Sequence, residues 1–466
     1  MQHSYDGLDR PGGFSRLNLF APLRHRDFRL LWSGMTVSLV GDGIFLVAMA
    51  WQVYAVWNAP AALSMVGIAM TVPTIVCLLP GGVVSDRLSR RAIMLAADAV
   101  RAAAIAVLAV LSLTGRIQVW EIAALAMVYG AGTAFFTPAF EALVPDILPA
   151  ADLPAANSLD QFVRPIALRL AGPAAGGWII AAFGPGIAFA ADAASFAAAG
   201  VAVLAMRPVP GHAHAGESVM ADIKTGLHFI RRRTWIWGTL VSAAFAYLLF
   251  LGPTEVLLPY VVKNSLHGSA GTLGAVFAAG GIGSIGAAVL MGQRDQPRRQ
   301  VTFIYVVWTL ATLAVAGYGL ATETWQLVVA CLLFNALETA GTIVWATLKQ
   351  RHVPASMLGR VSSLDWLISI GLLPLSFALT APVTALVGAR WTLVGAGVGG
   401  AAITLAALYL PGMRDVEREQ PVAEPEPELA ADDPVDVIVV ATVVRAAARP
   451  GSAVPTALRA GSADPW

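Results

Sequence analysis

Several ionisable residues lie inside long apolar stretches of the chain, where a charge is costly. Asp42, Arg169 and Glu338 lie near the middle of such stretches, and Glu255 lies nearer the end of another. An ionisable side chain in an apolar medium faces a polar interior, where it binds a proton, an ion or a polar ligand, or pairs with another charge. A carboxylate shielded from water binds a proton more readily than one in solution. These four residues are therefore the first candidates for binding chemistry.

A second set of charges lies nearer to the ends of the apolar stretches and contains pairs at helical spacing. Asp98 and Arg101 are three positions apart, and Asp160 and Arg164 are four positions apart. On a helix, both spacings bring the two side chains together on one face. Mutual neutralisation is the simpler role for such pairs, and direct contact with a bound ligand is the alternative.

A short charged loop runs from Gly81 to Arg91 and joins the second and third apolar stretches. Its residues of chemical interest are Gly82, Asp86, Arg87, Arg90 and Arg91. An acid and three arginines at such a turn predict ion pairs with charges on neighbouring helices. The predicted partners are Asp98, Arg101, Glu141, Asp160, Arg164 and Asp365. Such a network would act as a latch, closed in one conformation and separated in another.

The apolar stretches that carry these charges are membrane spans by length and composition. Of the 466 residues, 57% are hydrophobic and 13% are charged, which is too apolar for a soluble protein. Most stretches are about 20 residues or longer, enough for a helix to cross a bilayer core of about 30 Å. The sequence predicts twelve spans, numbered 1 to 12, at residues 30–57, 62–82, 91–114, 119–143, 157–183, 185–206, 234–262, 270–291, 301–320, 324–348, 359–387 and 390–411.

Basic residues are distributed unequally between the two sides of the predicted membrane protein. The N-terminal segment and the loops after spans 2, 6, 8 and 10 hold most of the Lys and Arg residues between the spans. The opposite loops hold only Arg116, Lys263 and Arg390. Because basic loops stay preferentially in the cytoplasm, the sequence predicts a multi-pass protein of the plasma membrane with both termini cytoplasmic.

The chain also contains an internal repeat. Residues 144–160 have a diluted copy 205 positions later, in which Pro149, Leu153, Ser158, Leu159 and Asp160 match Pro354, Leu358, Ser363, Leu364 and Asp365. A repeat of this kind predicts two parallel six-helix bundles that rock around a central site, with chance similarity between two loops as the alternative. The predicted fold is therefore an all-α integral membrane protein of two pseudo-symmetric halves.

This repeat gives the predicted domain organisation. The divisions are a cytoplasmic N-terminal segment at 1–27, a six-helix half at 28–206, a cytoplasmic linker at 207–233, a second six-helix half at 234–411 and a tail at 412–466. The tail is acidic and rich in proline, and we expect it to be disordered in the cytoplasm.

The pattern Gly82-x-x-x-Asp86-Arg87-x-x-Arg90-Arg91, together with twelve spans and the repeat, resembles the major facilitator superfamily over about residues 24–411. Three further stretches resemble its branch of proton-linked drug exporters, which includes macrolide efflux pumps and the enterobactin exporter. They are Val40-Gly41-Asp42, Phe136-Thr137-Pro138-Ala139 running to Val144-Pro145-Asp146, and Leu358-Gly359-Arg360-Val361-Ser362-Ser363. In this superfamily spans 1, 4, 7 and 10 line the central cavity, so the resemblance places Asp42 and Glu338 beside it.

Span 5 carries a motif that resembles the exporters' glycine-proline signature. Its residues are Gly172, Pro173, Gly176 and Gly177. The chain departs from the family pattern at Ser89 and Leu168, which replace glycines, and at Ala126, where many drug–proton antiporters carry an arginine. A coupling scheme based on that arginine does not transfer to this chain.

Taken together, these features predict a secondary active transporter that exports a small amphiphilic compound, such as a drug, an antibiotic or a siderophore, in exchange for protons. Asp42 and Glu338 are the predicted proton or substrate sites, although Asp42 has the alternative of capping a helix or pairing with Arg169. Glu255 marks either an outer gate or a solvated helix end. Asp192, in span 6, is predicted to be structural.

The sequence leaves two other functions open. One is a nutrient importer or a lysolipid flipper on the same fold, and the other is a transport-inactive sensor or scaffold, which only the acidic tail suggests. We find no nucleotide-binding loop, metal-ligand set or catalytic motif, so no enzyme activity, cofactor or metal is expected. A net charge of +1 gives no reason to expect a nucleic-acid partner. The expected partners are protons, the lipid bilayer and a small-molecule substrate.

Overall fold

The fold is that of a helical membrane protein. The computed structural model describes residues 20–149, 152–207, 219–294 and 296–418, and these ranges contain helices and no strand. Eleven of the described helices are long and apolar enough to cross a membrane. Span 12 is the helix Ala389–Ala407, in which Arg390 and several glycines lower the mean hydropathy, and it packs against spans 7 and 9. The predicted all-α fold of twelve spans is confirmed.

The first half contains spans 1 to 6. Spans 1 to 4 are the helices Arg26–Val56, Pro60–Arg87, Arg90–Leu113 and Val119–Ile147, and span 6 is Pro185–Leu204. Span 5 is composed of Leu153–Arg164, a π-helical turn at Pro165–Ala171 and Gly172–Phe183. A single turn of 3-10 helix, Ala21–Arg24, precedes span 1.

The second half repeats this arrangement. Span 7 is Thr234–Tyr260 with a π-helical turn at Val261–Ser265, and spans 8, 9 and 10 are Ala270–Gly292, Gln300–Leu320 and Thr324–His352. Span 11 is divided into Ala355–Ile370 and Leu373–Val387. The helix ends lie within a few residues of the predicted boundaries.

Spans 5 and 11 are interrupted at corresponding positions. In span 5 the π-helical turn begins at Pro165 and Pro173 follows it; in span 11 the helix stops at Ile370 and restarts before Pro374. Because proline has no N–H, it removes a helical hydrogen bond and favours an interruption there. The two interruptions lie about 205 positions apart, which is the offset of the sequence repeat.

The turns after these two spans also correspond. Gly184, between spans 5 and 6, has φ +83°, and Gly388, between spans 11 and 12, has φ +82°. A glycine adopts this left-handed conformation without the penalty that a Cβ imposes. The same turn therefore closes the last helix pair in each half, as expected for two copies of one bundle.

The two six-helix halves contact each other toward one end of their spans. We call the end where the linker helix lies the linker end, and the opposite end the far end. Toward the far end, span 1 contacts span 7, span 2 contacts span 11 and span 5 contacts span 8. Arg169 lies at mid-depth between the halves and Glu255 lies nearer the far end, and both side chains are exposed. Because the far end is in contact, the cleft between the halves is reached from the linker end.

The predicted linker at 207–233 contains a helix, Val219–Arg231, and its residues 208–218 lie outside the described chain. This helix packs on the first part of span 11, where Gly226 meets Leu364. Residues 412–418, assigned to the tail by the sequence, pack on the second half: Met413 is buried, and Glu417 accepts a hydrogen bond of 2.8 Å from the Thr302 N–H. The packed part of the chain thus extends beyond 411, and residues 419–466 lie outside the described ranges.

Candidate functional site

The first group of charges lies inside the N-terminal half around Asp42. The Tyr129 hydroxyl on span 4 donates a hydrogen bond of 2.6 Å to Asp42 Oδ1 on span 1. The Tyr129 ring stacks on Phe45, with centroids 4.8 Å apart. Gly41 allows span 6 to approach, since a Cβ there would overlap Ser195 and the Asp192 carboxylate. Asp42 is thus held by an aromatic neighbour at the contact of spans 1, 4 and 6.

Asp98 and Arg101 on span 3 form a buried ion pair in the same half. Arg101 Nη2 donates to Asp98 Oδ1 at 2.5 Å, and the two side chains are 4% and 3% exposed. The guanidinium carbon lies 4.4 Å from the ring centroids of both Phe136 and Phe196, so two rings enclose the cation. Asp98 Oδ2 and Arg101 Nε have no hydrogen-bond partner among the described residues. The spacing of three positions does bring the pair together.

Asp192 on span 6 belongs to the same group. Its side chain is fully buried, and its Oδ2 has no partner among the described residues. It lies within electrostatic range of Asp42 and of Arg101. Sequence analysis predicted only a structural role for Asp192, although one signal was available: no basic residue lies three or four positions away to neutralise it.

A cavity of about 120 Å³ opens beside these groups within the N-terminal half. Its polar lining consists of Ser38, Asp42, Asp98, Arg101, Thr133, Thr137, Glu141 and Arg164. The space is sufficient for several water molecules among groups that can hydrogen bond to them. Asp42 therefore has access to a hydrated space, whereas Asp192 is not among the lining residues.

The second group of charges faces the cleft between the halves. Arg169, on the π-helical turn of span 5, donates a hydrogen bond of 3.0 Å to Asn335 Oδ1 on span 10. Glu255 on span 7 is exposed to the cleft and lies within electrostatic range of Arg169. Glu338 on span 10 accepts a hydrogen bond of 3.0 Å from Thr342. Arg169 is paired with the other half here, and the alternative of an Asp42–Arg169 pair is not what the structure shows.

The charged loop between spans 2 and 3 is only partly described, because the surroundings of Gly82 and the side chains of Asp86 and Arg87 lie outside what the structure describes. Arg90 pairs with Asp146 on span 4 at 2.5 Å and donates to the Ala142 carbonyl at 2.9 Å. Asp146, which was not among the predicted site residues, stands in the Val-Pro-Asp stretch that carried part of the resemblance.

Arg91 has a different role from Arg90. It donates to the carbonyls of Val203 and Leu204, at 3.0 and 2.6 Å, at the end of span 6. A cation at a helix C-terminus satisfies free carbonyls and complements the helix dipole. The two arginines thus join the start of span 3 to spans 4 and 6 at the linker end.

The other members of the predicted latch divide between the two halves. Arg164 contacts Asp160 at 3.4 Å, and Glu141 lines the cavity with Arg164. Asp365 was predicted to join this N-terminal network, but it binds Lys349 Nζ at 2.5 Å and Trp345 Nε1 at 2.9 Å within the C-terminal half. The reason is proximity, since span 10 supplies a cation directly beside span 11.

The glycine-proline motif of span 5 lies between span 1 and span 8. A Cβ on Gly172 would lie 2.6 Å from Gly43 Cα, and one on Gly176 would lie 2.9 Å from Ile44 Cα. On the opposite side, a Cβ on Gly177 would lie 2.9 Å from the Ala270 carbonyl in the other half. The Pro173 ring itself lies against Gly43 of span 1, and the Pro173 carbonyl faces Gly274 of span 8. The motif therefore allows close backbone contact both within and between the halves.

The far end is closed by polar contacts between spans 1 and 7. The Tyr54 hydroxyl donates a hydrogen bond of 2.5 Å to the Val256 carbonyl. Asn58 and Asn264 exchange two amide hydrogen bonds, of 2.6 and 3.1 Å. Lys263 donates to the Tyr54 carbonyl and lies 5.6 Å from the Trp51 ring centroid. These contacts join the halves where no charged network was predicted.

A family model described as "transmembrane secretion effector" matches residues 17–443. The chain belongs to this family of the major facilitator superfamily. It is therefore a multi-pass membrane transporter, and the superfamily predicted from the charged loop and the repeat is confirmed.

Relatives of this family member include efflux proteins. The multidrug efflux pump Tap of Mycolicibacterium fortuitum is 26% identical over 83% of this chain and 96% of its own length. Macrolide efflux protein A of Streptococcus pyogenes is 22% identical over 84% and 96%, and the enterobactin exporter EntS of Citrobacter koseri is 25% identical over 75% and 83%. The exporter branch inferred from the sequence therefore has support from relatives along most of the chain.

Solved structures show the same fold at low sequence identity. The nucleoside transporter NupG, in a variant form, aligns with a TM-score of 0.64 and 12% identity over 81% of this chain and 99% of its own. A POT family transporter in complex with a thioalcohol conjugated peptide aligns with a TM-score of 0.63 and 11% identity over 82% and 95%. These likenesses establish the fold of two six-helix bundles.

Proposed function

We propose that this family member is a proton-coupled exporter that moves a small amphiphilic cation across the plasma membrane by alternating access. Both termini and the linker end would lie in the cytoplasm, as the distribution of basic residues predicts. With the far end in contact and the cleft reached from the linker end, the described conformation corresponds to the inward-facing state. Efflux relatives support the direction of transport.

The observation that carries the proposal is the excess of acid inside the N-terminal half. Asp42, Asp98 and Asp192 are grouped around Arg101, which is already paired with Asp98, and the other described cation within electrostatic range of Asp42 is Arg164, which contacts Asp160 at 3.4 Å. Asp192 therefore has no cation of its own in a dry interior, and Asp42 shares Arg164 with other acids beside the cavity. An uncompensated buried charge is costly, whereas a protonated carboxyl is not. Protonation of these carboxylates is the simplest way to avoid that cost while the helices keep the observed packing.

The cleft between the halves supplies a separate place for the substrate. Glu255 and Glu338 face it with one described cation, Arg169, so its charge favours a compound that carries positive charge. Tyr247 on span 7 and Phe334 on span 10, both partly exposed, add aromatic surface beside these charges, and the buried Phe250 packs against both rings. Pockets for small ligands are commonly built from apolar walls with a few placed polar groups.

Proton movement and substrate movement are coupled if the acids inside the N-terminal half and the cleft between the halves both change when the same spans move. Asp42 lies on span 1, which contacts span 7 of the other half, and Arg169 lies on span 5, which contacts span 8. A change in the charge of the N-terminal group therefore acts on the same spans that close the cleft. A proton taken up from outside would favour one conformation, and cation binding from inside would favour the other.

The proposal is tested by transport of ethidium in proteoliposomes with an imposed pH gradient. We expect wild-type protein to move ethidium against its concentration gradient, and Asp42→Asn to abolish this while ethidium binding is retained. Glu338→Gln should weaken ethidium binding by about tenfold, the effect of about 1.4 kcal/mol. Asp415→Asn, at an exposed acid beyond the spans, is the matched control. Unchanged gradient-driven transport in both site variants would show that the proposal is wrong.

A further inference from the structure

Asp192 is a buried acid without a cationic partner. Its side chain is fully buried, the Ser195 hydroxyl lies 3.3 Å from its Oδ1, and its Oδ2 has no partner among the described residues. The same hydroxyl lies closer to the Asp192 carbonyl, at 2.7 Å, so it is a weak partner for the carboxylate. One long hydrogen bond does not compensate an ionised carboxylate in a dry interior, and this group must be neutral for the helices to pack as observed.

The groups that face Asp192 come from three other spans. Span 1 contributes Asp42, span 3 contributes the Asp98–Arg101 pair and span 4 contributes Tyr129. Arg101 is the only described cation among them, and Asp98 already holds it at 2.5 Å. Asp42, which is also within electrostatic range of Asp192, is an acid and supplies no compensating positive charge.

The backbone of span 1 lies directly against Asp192. A Cβ on Gly41 would overlap Asp192 Oδ1, so the carboxyl packs against the residue that precedes Asp42. Asp42 lines the cavity and Asp192 lies behind it at the contact of spans 1 and 6. Asp42 therefore has access to water and Asp192 does not, although both lie at the contact between spans 1 and 6.

We propose that Asp192 is a second proton-binding residue, which exchanges its proton with Asp42. The inference rests on the proposed function, because it names where the coupled proton is held. An O–H bond on one carboxyl breaks as an O–H bond forms on the other, the bonding electron pair stays on the donor oxygen, and the charge of the pair does not change. Asp42 then exchanges protons with the cavity.

The position of the pair explains how its charge would act on the structure. With both carboxyls neutral, spans 1 and 6 meet without repulsion at Gly41. With one proton lost, a single charge remains beside the Tyr129 hydroxyl, which stabilises Asp42 as the ionised member. With both lost, two like charges would lie at one helix contact and would destabilise it.

The first test is infrared spectroscopy of the full-length protein in lipid nanodiscs between about pH 5 and about pH 9, a range that brackets ordinary carboxyl and histidine titration. Protonated carboxyls absorb separately from ionised ones. We expect a carboxyl band that persists in Asp42→Asn, is absent in Asp192→Asn, and changes frequency in Ser195→Ala because a hydrogen bond is lost. The Ser195 variant keeps the assignment possible if Asp192→Asn does not fold. If neither variant changes a carboxyl band, the inference is wrong.

The second test separates proton exchange from a fixed structural acid. In proteoliposomes, we expect Asp192→Asn to lower ethidium transport driven by a pH gradient by about tenfold, and to leave ethidium exchange without a gradient within about twofold. An imposed sodium gradient should drive no transport in either protein. If Asp192→Asn couples to the gradient as wild type does at every pH, its proton never exchanges and the inference is overturned.

The two proposals fail in different ways. If wild-type protein shows no transport driven by a pH gradient, the proposed function fails, while the infrared bands still decide whether Asp192 binds a proton that exchanges. If wild type is coupled and Asp42→Asn is not, but Asp192→Asn behaves as wild type, only the inference fails. Gly286→Ala serves as the control in transport, because nothing lies within 4 Å of a Cβ added there.

Discussion

The two halves share one architecture but use their charges differently. In the N-terminal half, Asp42, Asp98 and Asp192 lie around Arg101 in the interior, so acid exceeds base. In the C-terminal half, Glu338 lies on span 10 one helical turn from Asn335, which binds Arg169 of the other half. Under the proposed function, this difference would correspond to a division of labour, with proton binding inside the first half and substrate contact on the surface of the second.

The sequence repeat makes this comparison direct at one pair of residues. Asp160 and Asp365 occupy matching positions in the repeat. Asp160 contacts Arg164 on its own helix at 3.4 Å, whereas Asp365 on span 11 binds Lys349 on the preceding span 10 at 2.5 Å. The Arg164 side chain is 43% exposed and the Lys349 side chain is 12% exposed. The repeat-related acids therefore form a loose pair within one helix in the first half and a largely buried link between two helices in the second.

The largest expected effect comes from breaking the buried pair that distinguishes the N-terminal half. Arg101→Leu leaves Asp98 buried without its cation and removes the group held between Phe136 and Phe196. We expect a loss of about 3–5 kcal/mol of folding free energy, the usual cost of removing one member of a buried ion pair. Thermal unfolding in detergent, followed by size-exclusion chromatography, measures it. Recovery of stability in Asp98→Leu/Arg101→Leu would confirm the cause, and equal stability of wild type and Arg101→Leu would contradict it.

The contact between spans 1 and 6 is the next place to test. Gly41→Ala places a methyl group against Ser195 and Asp192, so we expect a loss of about 1–3 kcal/mol from overpacking. Gly286→Ala is the control, because nothing lies within 4 Å of a Cβ there. The same thermal measurement applies to both variants. An equal effect of the two substitutions would show that the contact at Gly41 is not specific.

The repeat-related acids give a smaller, paired effect. Asp365→Asn leaves the largely buried Lys349 without its acid, and we expect it to cost about 2 kcal/mol. Asp160→Asn leaves a more exposed arginine that water can solvate, and it should cost less than about 1 kcal/mol. Unfolding temperatures of the two variants, compared in one detergent, test the difference. If Asp160→Asn is the more destabilising variant, the Asp160–Arg164 pair contributes more to stability than the Asp365–Lys349 pair, and the proposed asymmetry is wrong.

The smallest expected effect is on the far end, where the halves meet. Tyr54→Phe removes the hydrogen bond to Val256, and we expect a change of about 1 kcal/mol in favour of opening, or about fivefold in the conformational equilibrium. Distances between spin labels at the far ends of spans 1 and 7 would measure the populations. Tyr409→Phe, at an exposed tyrosine after span 12, is the control. An unchanged distance distribution in Tyr54→Phe would exclude this bond from the closure.

Much of the fold follows from the sequence because its signals are local. Apolar length fixes the spans, and the proline and glycine residues mark the interruptions and turns, as at Pro165 and Gly184. Pairs at helical spacing are equally local, which is why Asp98 and Arg101 were expected to meet. The sequence could also place Arg169 at mid-depth, because depth depends only on distance from a helix end.

The remaining features depend on which helices touch, and no local pattern contains that information. Lys349 and Asp365 meet because spans 10 and 11 pack together at that level, and Asn58 and Asn264 meet across 206 positions. The structure shows that Asp192 lies against span 1 at Gly41, and this contact makes Asp192 a candidate for binding chemistry. Its isolation in the sequence was a signal, but it did not identify the neighbour.

The contact between spans 5 and 8 has a consequence for how the sequence can vary. Gly177 meets Gly271 and Gly274 across the halves, and Gly281 meets the Arg169 carbonyl. A larger residue at any of these sites would separate the halves before it altered either one, so a tolerated change on one helix requires a compensating change on the other. Backbone contacts also have no rotamers to rearrange. The spacing of the halves along this line is therefore set by the glycines themselves and not by a choice of side-chain rotamer.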